Sequence, residues 1–150
     1  VGTLPDNFTL TTTIQETSGG AAAYYGIMLH FSQQSSGISG YAFVINNSGQ
    51  CLIIKYTSAA STPASAAQSS YNTPGQTSHT LKVQAQRTRY SFFVDNQAVK
   101  LATSSNPSNT IWSDGDLHGG DLTLFLGGPA SGAAAPSTTY VASLVQLSIP

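Results

Sequence analysis

The chain has 150 residues, of which 40% are hydrophobic and only 7% charged, with a formal net charge of -1. That length fits one domain around one core, and no apolar run approaches the roughly 20 residues of a membrane helix. The five basic residues form no cluster of the kind that nucleic acid or an anionic membrane surface requires.

With charge so far below the roughly 25% of ordinary soluble domains, Ser, Thr, Asn, Gln and Gly must cover the surface. Such a surface suits a protein outside the cell. The chain opens on Val1 and not Met, as a mature or excised fragment would. The single cysteine, Cys51, cannot form an internal disulfide. It opens the apolar stretch CLIIKY and reads as a buried small hydrophobe.

In chain order, period-two alternation dominates. NFTLTTTIQE (7–16) sets Phe8 and Leu10 against Thr9 and Thr11. YYGIMLHF (24–31) sets Tyr25, Ile27, Leu29 and Phe31 on one face, and Gly26, Met28 and His30 on the other. GYAFVIN (40–46) and QCLIIKY (50–56) flank an NSG turn whose Asn and Gly suit positive φ. SHTLKVQAQ (78–86) and RYSFFVD (89–95) pair across a short RT joint, and QAVKLA (97–102) follows a DN turn. DLTLFLG (121–127) and YVASLVQLSI (140–149) complete about nine strands. The Ala- and Ser-rich segment 57–70, with Pro63 inside it, reads as a long surface loop, and 127–139 as a second. No stretch shows a helical period with caps. Strands joined by turns pair antiparallel, and two such sheets must cover each other's apolar faces. The expected fold is an all-β, antiparallel two-sheet sandwich over residues 1–150.

The order of these pieces resembles the concanavalin A-like jelly-roll superfamily, and most of all the laminin-G-like and 3-keto-disaccharide hydrolase-type domains of bacterial extracellular proteins. The resemblance is carried by YYGIMLHF, GYAFVINNSGQCLIIKY, HTLKVQAQRTRYSFFVDNQAV, GDLTLFLGG and the closing YVASLVQLSI. Leu81, Val83, Val94, Asp95 and Asn96 fill the family's L-x-V…V-[DN]-[GN] frame. It covers about residues 7–149, and the usual opening strand before FTLTTTI is missing or trimmed. It implies a curved jelly roll at the cell surface or outside the cell. This fold hosts lectins, carbohydrate-binding modules, glycosidases, adhesive modules and sensor ectodomains, so function must come from the site.

Hydrolysis on this fold needs paired carboxylates at catalytic separation. The one glutamate, Glu16, stands alone. There is no G-x-S-x-G elbow. His30, His79 and His118 are scattered without zinc spacing and read as surface or hydrogen-bonded histidines. The richest stretch is IWSDGDLHGGDL (111–122), which holds the only tryptophan and three of the six acidic residues. Three readings stay open for it. It is a solvated turn, as Asp–Gly pairs favour. Alternatively, Asp114, Asp116 and Asp121 hold calcium, with Asn109 or Ser113 adding oxygens. In the third reading, Trp112 stacks on a sugar while Asp114, Asp116 and His118 bond its hydroxyls; beside Ile111, Trp112 also reads as a plug of the core or the sandwich edge. Tyr71, in the polar SSYNTPG segment, is a further exposed candidate. The expected function is a non-catalytic module that binds a glycan or polysaccharide and has no obligatory cofactor. The alternatives are a structural, adhesive or sensor domain and, third, a glycoside-active enzyme. An open sheet edge would also invite pairing with a partner chain.

Overall fold

The computed structural model describes residues 3–18, 24–57, 60–66, 71, 76–101, 109–127 and 139–149. Among them are eleven strands and no helix, so no helix is long and apolar enough to cross a membrane. The strands are β1 (Asn7–Ser18), β2 (Tyr24–Gln34), β3 (Gly37–Asn46), β4 (Cys51–Thr57), β5 (Ala60–Ala66), β6 (Ser78–Gln86), β7 (Arg89–Val94), β8 (Gln97–Ala98), β9 (Ile111–Ser113), β10 (Asp121–Gly127) and β11 (Thr139–Ser148). One sheet runs β11-β1-β6-β7-β8, with β9 also on β7, and the other runs β10-β2-β3-β4-β5. Every pairing is antiparallel. The expected two-sheet jelly roll is what the chain forms.

The alternation explains the layers. On β1, β6 and β7 the inward residues Leu10, Leu81, Val83 and Phe92 are buried, while the residues between them face outward. They meet Ile27, Leu29, Phe43 and Ile53 of the facing sheet, and the Phe43 and Phe92 rings lie 4.7 Å apart across the core. Each such side chain contributes about 1.5–3 kcal/mol by leaving water. The five-stranded sheet is apolar on its outer face as well. There Met28, Ala42 and Val44 are buried beneath Tyr56 and Phe125, whose rings are 5.8 Å apart.

Turn chemistry fixes the registers. Asn46 Oδ1 accepts from the backbone N–H groups of Ser48 and Gln50, and Gly49 takes a φ of 76°. Asp95 and Asn96, at φ 49° and 67°, form the two-residue joint between β7 and β8, as a DN pair suits.

Three elements depart from the expected pattern. The predicted loop 57–70 contains β5, paired along β4, with Pro63 tolerated because β5 is the last strand in its sheet's order. The predicted strand 97–102 shrinks to Gln97–Ala98. The backbone of Val99 still bonds Phe92, and that of Leu101 bonds Asn109. Within β2, a register shift after Leu29 changes the phase of the alternation. His30, at φ 53°, turns into the core, and Phe31 joins the outer cluster instead. The segment 128–138 of the second predicted loop lies outside the described residues.

Candidate functional site

The stretch 111–122 is built as a clamp on the end of the sandwich. β9 pairs with β7, so Trp112 lies opposite Tyr90 and points inward. Its side chain is buried, with ring centroids 4.8 Å from Tyr41 and 5.5 Å from Tyr90. A sugar cannot stack on it. The alternation of β9 gives this indole to the core, in line with its reading as a plug, and the reading of Trp112 as a sugar platform is corrected.

Asp114 is the hub of the clamp. Its Oδ1 accepts from the Tyr41 hydroxyl at 2.6 Å and from the Asp116 backbone N–H at 3.0 Å. Its Oδ2 accepts from the Lys55 ammonium at 2.7 Å, and Lys55 also bonds Asp116. Burial pushes the Asp114 carboxyl up, but Lys55 and Tyr41 outweigh it and hold the group below the usual range. The same two carboxylates raise Lys55. Burial, then the Asp114 contact, pushes the Tyr41 phenol well up. The Lys55 ammonium thus occupies the place between Asp114 and Asp116 where the calcium reading would put the ion. Asp121 starts β10 opposite Phe31 and does not join them. Among the described residues no group of three His, Cys, Asp or Glu side chains converges on a metal position. His118 is 53% exposed and faces Asp6 at 3.9 Å. Tyr71 is not an exposed platform either. Its hydroxyl donates to the Ala98 carbonyl and accepts from the Lys100 N–H at 2.8 Å, and its own N–H bonds Gly49, beyond the far end of β3 from Gly37. The predicted ligand residues therefore do not assemble into one site.

The other titratable groups are interior. The Gly119 carbonyl can only accept, so His30 carries its proton on Nδ1 (2.7 Å), and Nε2 accepts from the Tyr90 hydroxyl at 3.0 Å. Burial holds His30 below its ordinary pKa and raises the Tyr90 phenol to about 12. His79 is fully buried and bonds Asp95 at 2.8 Å. Its Nε2 meets no hydroxyl among the described residues. Of the two places expected for these histidines, surface or hydrogen-bonded, both take the hydrogen-bonded one, inside the sandwich. Cys51 is buried as expected, and burial raises its thiol to about 12, away from nucleophilic use.

An open groove of about 580 Å³ lies elsewhere, on the outer face of the six-stranded sheet, lined by Asn7, Thr9, Gln84, Gln86, Arg87 and Arg89 together with Ser148. The register explains it. Asn7, Gln86, Arg89 and Ser113 sit side by side across β1, β6, β7 and β9. Thr9, Gln84, Ser91 and Ile111 form the next row. Four strands at about 4.8 Å spacing make a polar strip roughly 14 Å wide. A recess of about 140 Å³ continues it past Arg89, Ser91 and Ile111. The strip offers carboxamides, guanidinium groups and hydroxyls, and no carboxylate among its described lining residues. Neither guanidinium has a partner among the described residues. Sequence reading missed this site because Lys82, Arg87 and Arg89 form no run. They share the outer side and turn of one hairpin only once the strands pair. The available signal was the polar member of each alternating pair in KVQAQRTRYS.

No protein-family model matches the chain, and no curated protein sequence matches it. Among solved structures, the chain is similar to the carbohydrate binding module CBM66 from Bacillus subtilis, with a TM-score of 0.65 at 17% identity, covering 95% of this chain and 75% of that one. It is similar to sheep galectin-11 in complex with glycerol (TM-score 0.56, 12% identity, 97% of this chain and 92% of that one). It also resembles the Bacillus licheniformis beta-glucanase (TM-score 0.54, 11% identity, 97% of this chain and 65% of that one). At these identities the likeness carries the architecture alone: the chain has the concanavalin A-like jelly-roll fold.

Proposed function

We propose that the domain binds carbohydrate without catalysis, in the groove across β1, β6, β7 and β9. The observation that carries this reading is a strip of planar polar side chains, Asn7, Gln84, Gln86 and Arg89, projecting from three adjacent rigid strands, β1, β6 and β7. Carboxamide and guanidinium groups bond vicinal hydroxyls in pairs, and strands hold them in place better than loops would. The strip's width suits a short run of sugar rings. A carbohydrate binding module with the same architecture supports the ligand class.

Binding alone is favoured over hydrolysis because glycosidases need two carboxyl groups flanking the scissile bond, and the described groove lining has none. The low charge suits a location outside the cell, and the reading places the domain there. A glycan array probed with the intact domain tests the proposal. Binding to at least one saccharide is expected. Gln84→Ala with Gln86→Ala should weaken it about ten-fold or more, since each lost hydrogen bond is worth about 0.5–1.5 kcal/mol, with no change in thermal unfolding. An array with no saccharide bound would refute it. So would a double variant of unchanged affinity.

One specific observation favours an assembly role as a second reading. Leu124 and Val145 are half exposed, and with Leu147 and Ile149 they form an apolar margin where β10 and β11 end the two sheets.

A further inference from the structure

We propose that the groove selects an anionic saccharide, one carrying a carboxylate or a sulfate ester; this rests on the carbohydrate-binding reading above. The chain has five cations and six carboxylates, yet their distribution is uneven. Lys55 is held by Asp114 and Asp116. Three of the other four, Lys82, Arg87 and Arg89, belong to the β6–β7 hairpin, and residues 78–94 include no Asp or Glu. Lys82 packs its ammonium 4.9 Å from the centre of the Phe93 ring on the same outer face. Arg87 and Arg89 line the groove itself. Asp95, the residue just after that span, is engaged by His79 and the Thr80 N–H at the other end of the hairpin, and the carboxylate of Asp6, beside Asn7 in sequence, faces His118 at 3.9 Å. A domain of net charge -1 thus lines this groove with two arginines that have no carboxylate in ion-pair contact among the described residues.

The backbone at Arg87 adds an independent observation. Its φ is 56°, a left-handed conformation in which Gly or Asn is more at ease. The turn is pinned there, because the Arg87 N–H donates to the Asp6 carbonyl at 2.8 Å and to Asn7 Oδ1 at 3.1 Å. A long side chain at this position gains nothing for the turn, and Arg87 is among the residues that line the groove. A guanidinium offers paired N–H donors matched to carboxylate and sulfate oxygens. Gln84, Gln86 and Asn7 are left to bond neutral hydroxyls. Specificity for charge and specificity for sugar therefore sit on different residues of one surface.

Calorimetric titration of the intact domain separates the two. The probes are tetragalacturonate against its methyl ester, and a heparin-derived tetrasaccharide against its desulfated form. At least one acidic probe should bind about ten-fold or more tightly than its neutral counterpart, and salt should erode the difference, since exposed charges are screened. Which pair responds tells carboxylate from sulfate. Arg89→Gln and Arg87→Asn, the latter suited to the φ of 56°, should abolish the preference and leave unfolding unchanged. Equal affinity within both pairs, still weakened by Gln84→Ala with Gln86→Ala, would overturn the anionic inference and leave carbohydrate binding standing. Failure of all four probes, with no binder on the glycan array, would overturn both. A single-stranded oligonucleotide binding as tightly as the acidic saccharides would overturn the inference as well, by reducing the surface to charge alone.

Discussion

At the scale of single residues, buried polar groups tie the loops to the sheets. Trp112 fills space between Tyr41, Tyr90 and Phe92. Trp112→Ala is expected to destabilise the fold by about 3–5 kcal/mol, measured by urea unfolding, while glycan affinity of the folded fraction stays unchanged. His30 gives a pH signature. Burial lowers its folded pKa below the ordinary 6.5, so the unfolded chain takes up the proton first. Its contribution is complete above pH about 6.5 and is lost as pH falls toward the folded value. Melting temperature should therefore drop between pH 7 and pH 5, with a shallower slope in His30→Gln. Asp114 acts in the same direction at lower pH. Its folded pKa is depressed, so its contribution is present above the ordinary carboxylate pKa and fades as pH falls through the folded one. Asp114→Asn should flatten the acid limb of the melting curve below about pH 4 and lower stability at neutral pH.

At the scale of elements, alternation made most of the fold legible. β1, β3, β4, β6, β7, β10 and β11 lie close to where period-two patterning places them, and positive φ falls on Gly49 of the NSG turn, though not on Asn47, and on both residues of the DN turn. Where tertiary contact overrides local pattern, the sequence misleads. Alternation alone puts His30 on the outer side of β2. The bulge after Leu29 reverses this, and the bulge depends on Gly120, far along the chain at the entry to β10. Gly120 has φ 69°, and a Cβ there would come within 2.7 Å of the His30 carbonyl carbon and the Phe31 oxygen. Gly120→Ala should cost about 1–3 kcal/mol, read from the shift in the unfolding midpoint. β5 was hidden for a different reason. Its Ala, Ser, Thr and Pro composition carries no strand signal, and only pairing with the apolar β4 reveals it.

At the scale of the whole molecule, the site was less legible than the fold. Chemically rich residues drew attention to 111–122, but there Asp114 is satisfied by Tyr41, Lys55 and the Asp116 N–H, as a partly buried polar group must be, and Trp112 packs into the core. The groove is made of individually ordinary residues, Asn7, Gln84, Gln86 and Arg89, which become a surface only through the register of β1, β6 and β7. The most direct test is nuclear magnetic resonance mapping of amide and side-chain shifts during titration with an oligosaccharide that binds on the array. The largest shifts are predicted at Asn7, Thr9, Gln84, Gln86, Arg89 and Ser91, with the Trp112 indole nearly unmoved. Shifts centred on Asp114–His118, or on the Tyr56 and Phe125 face, would contradict the assignment.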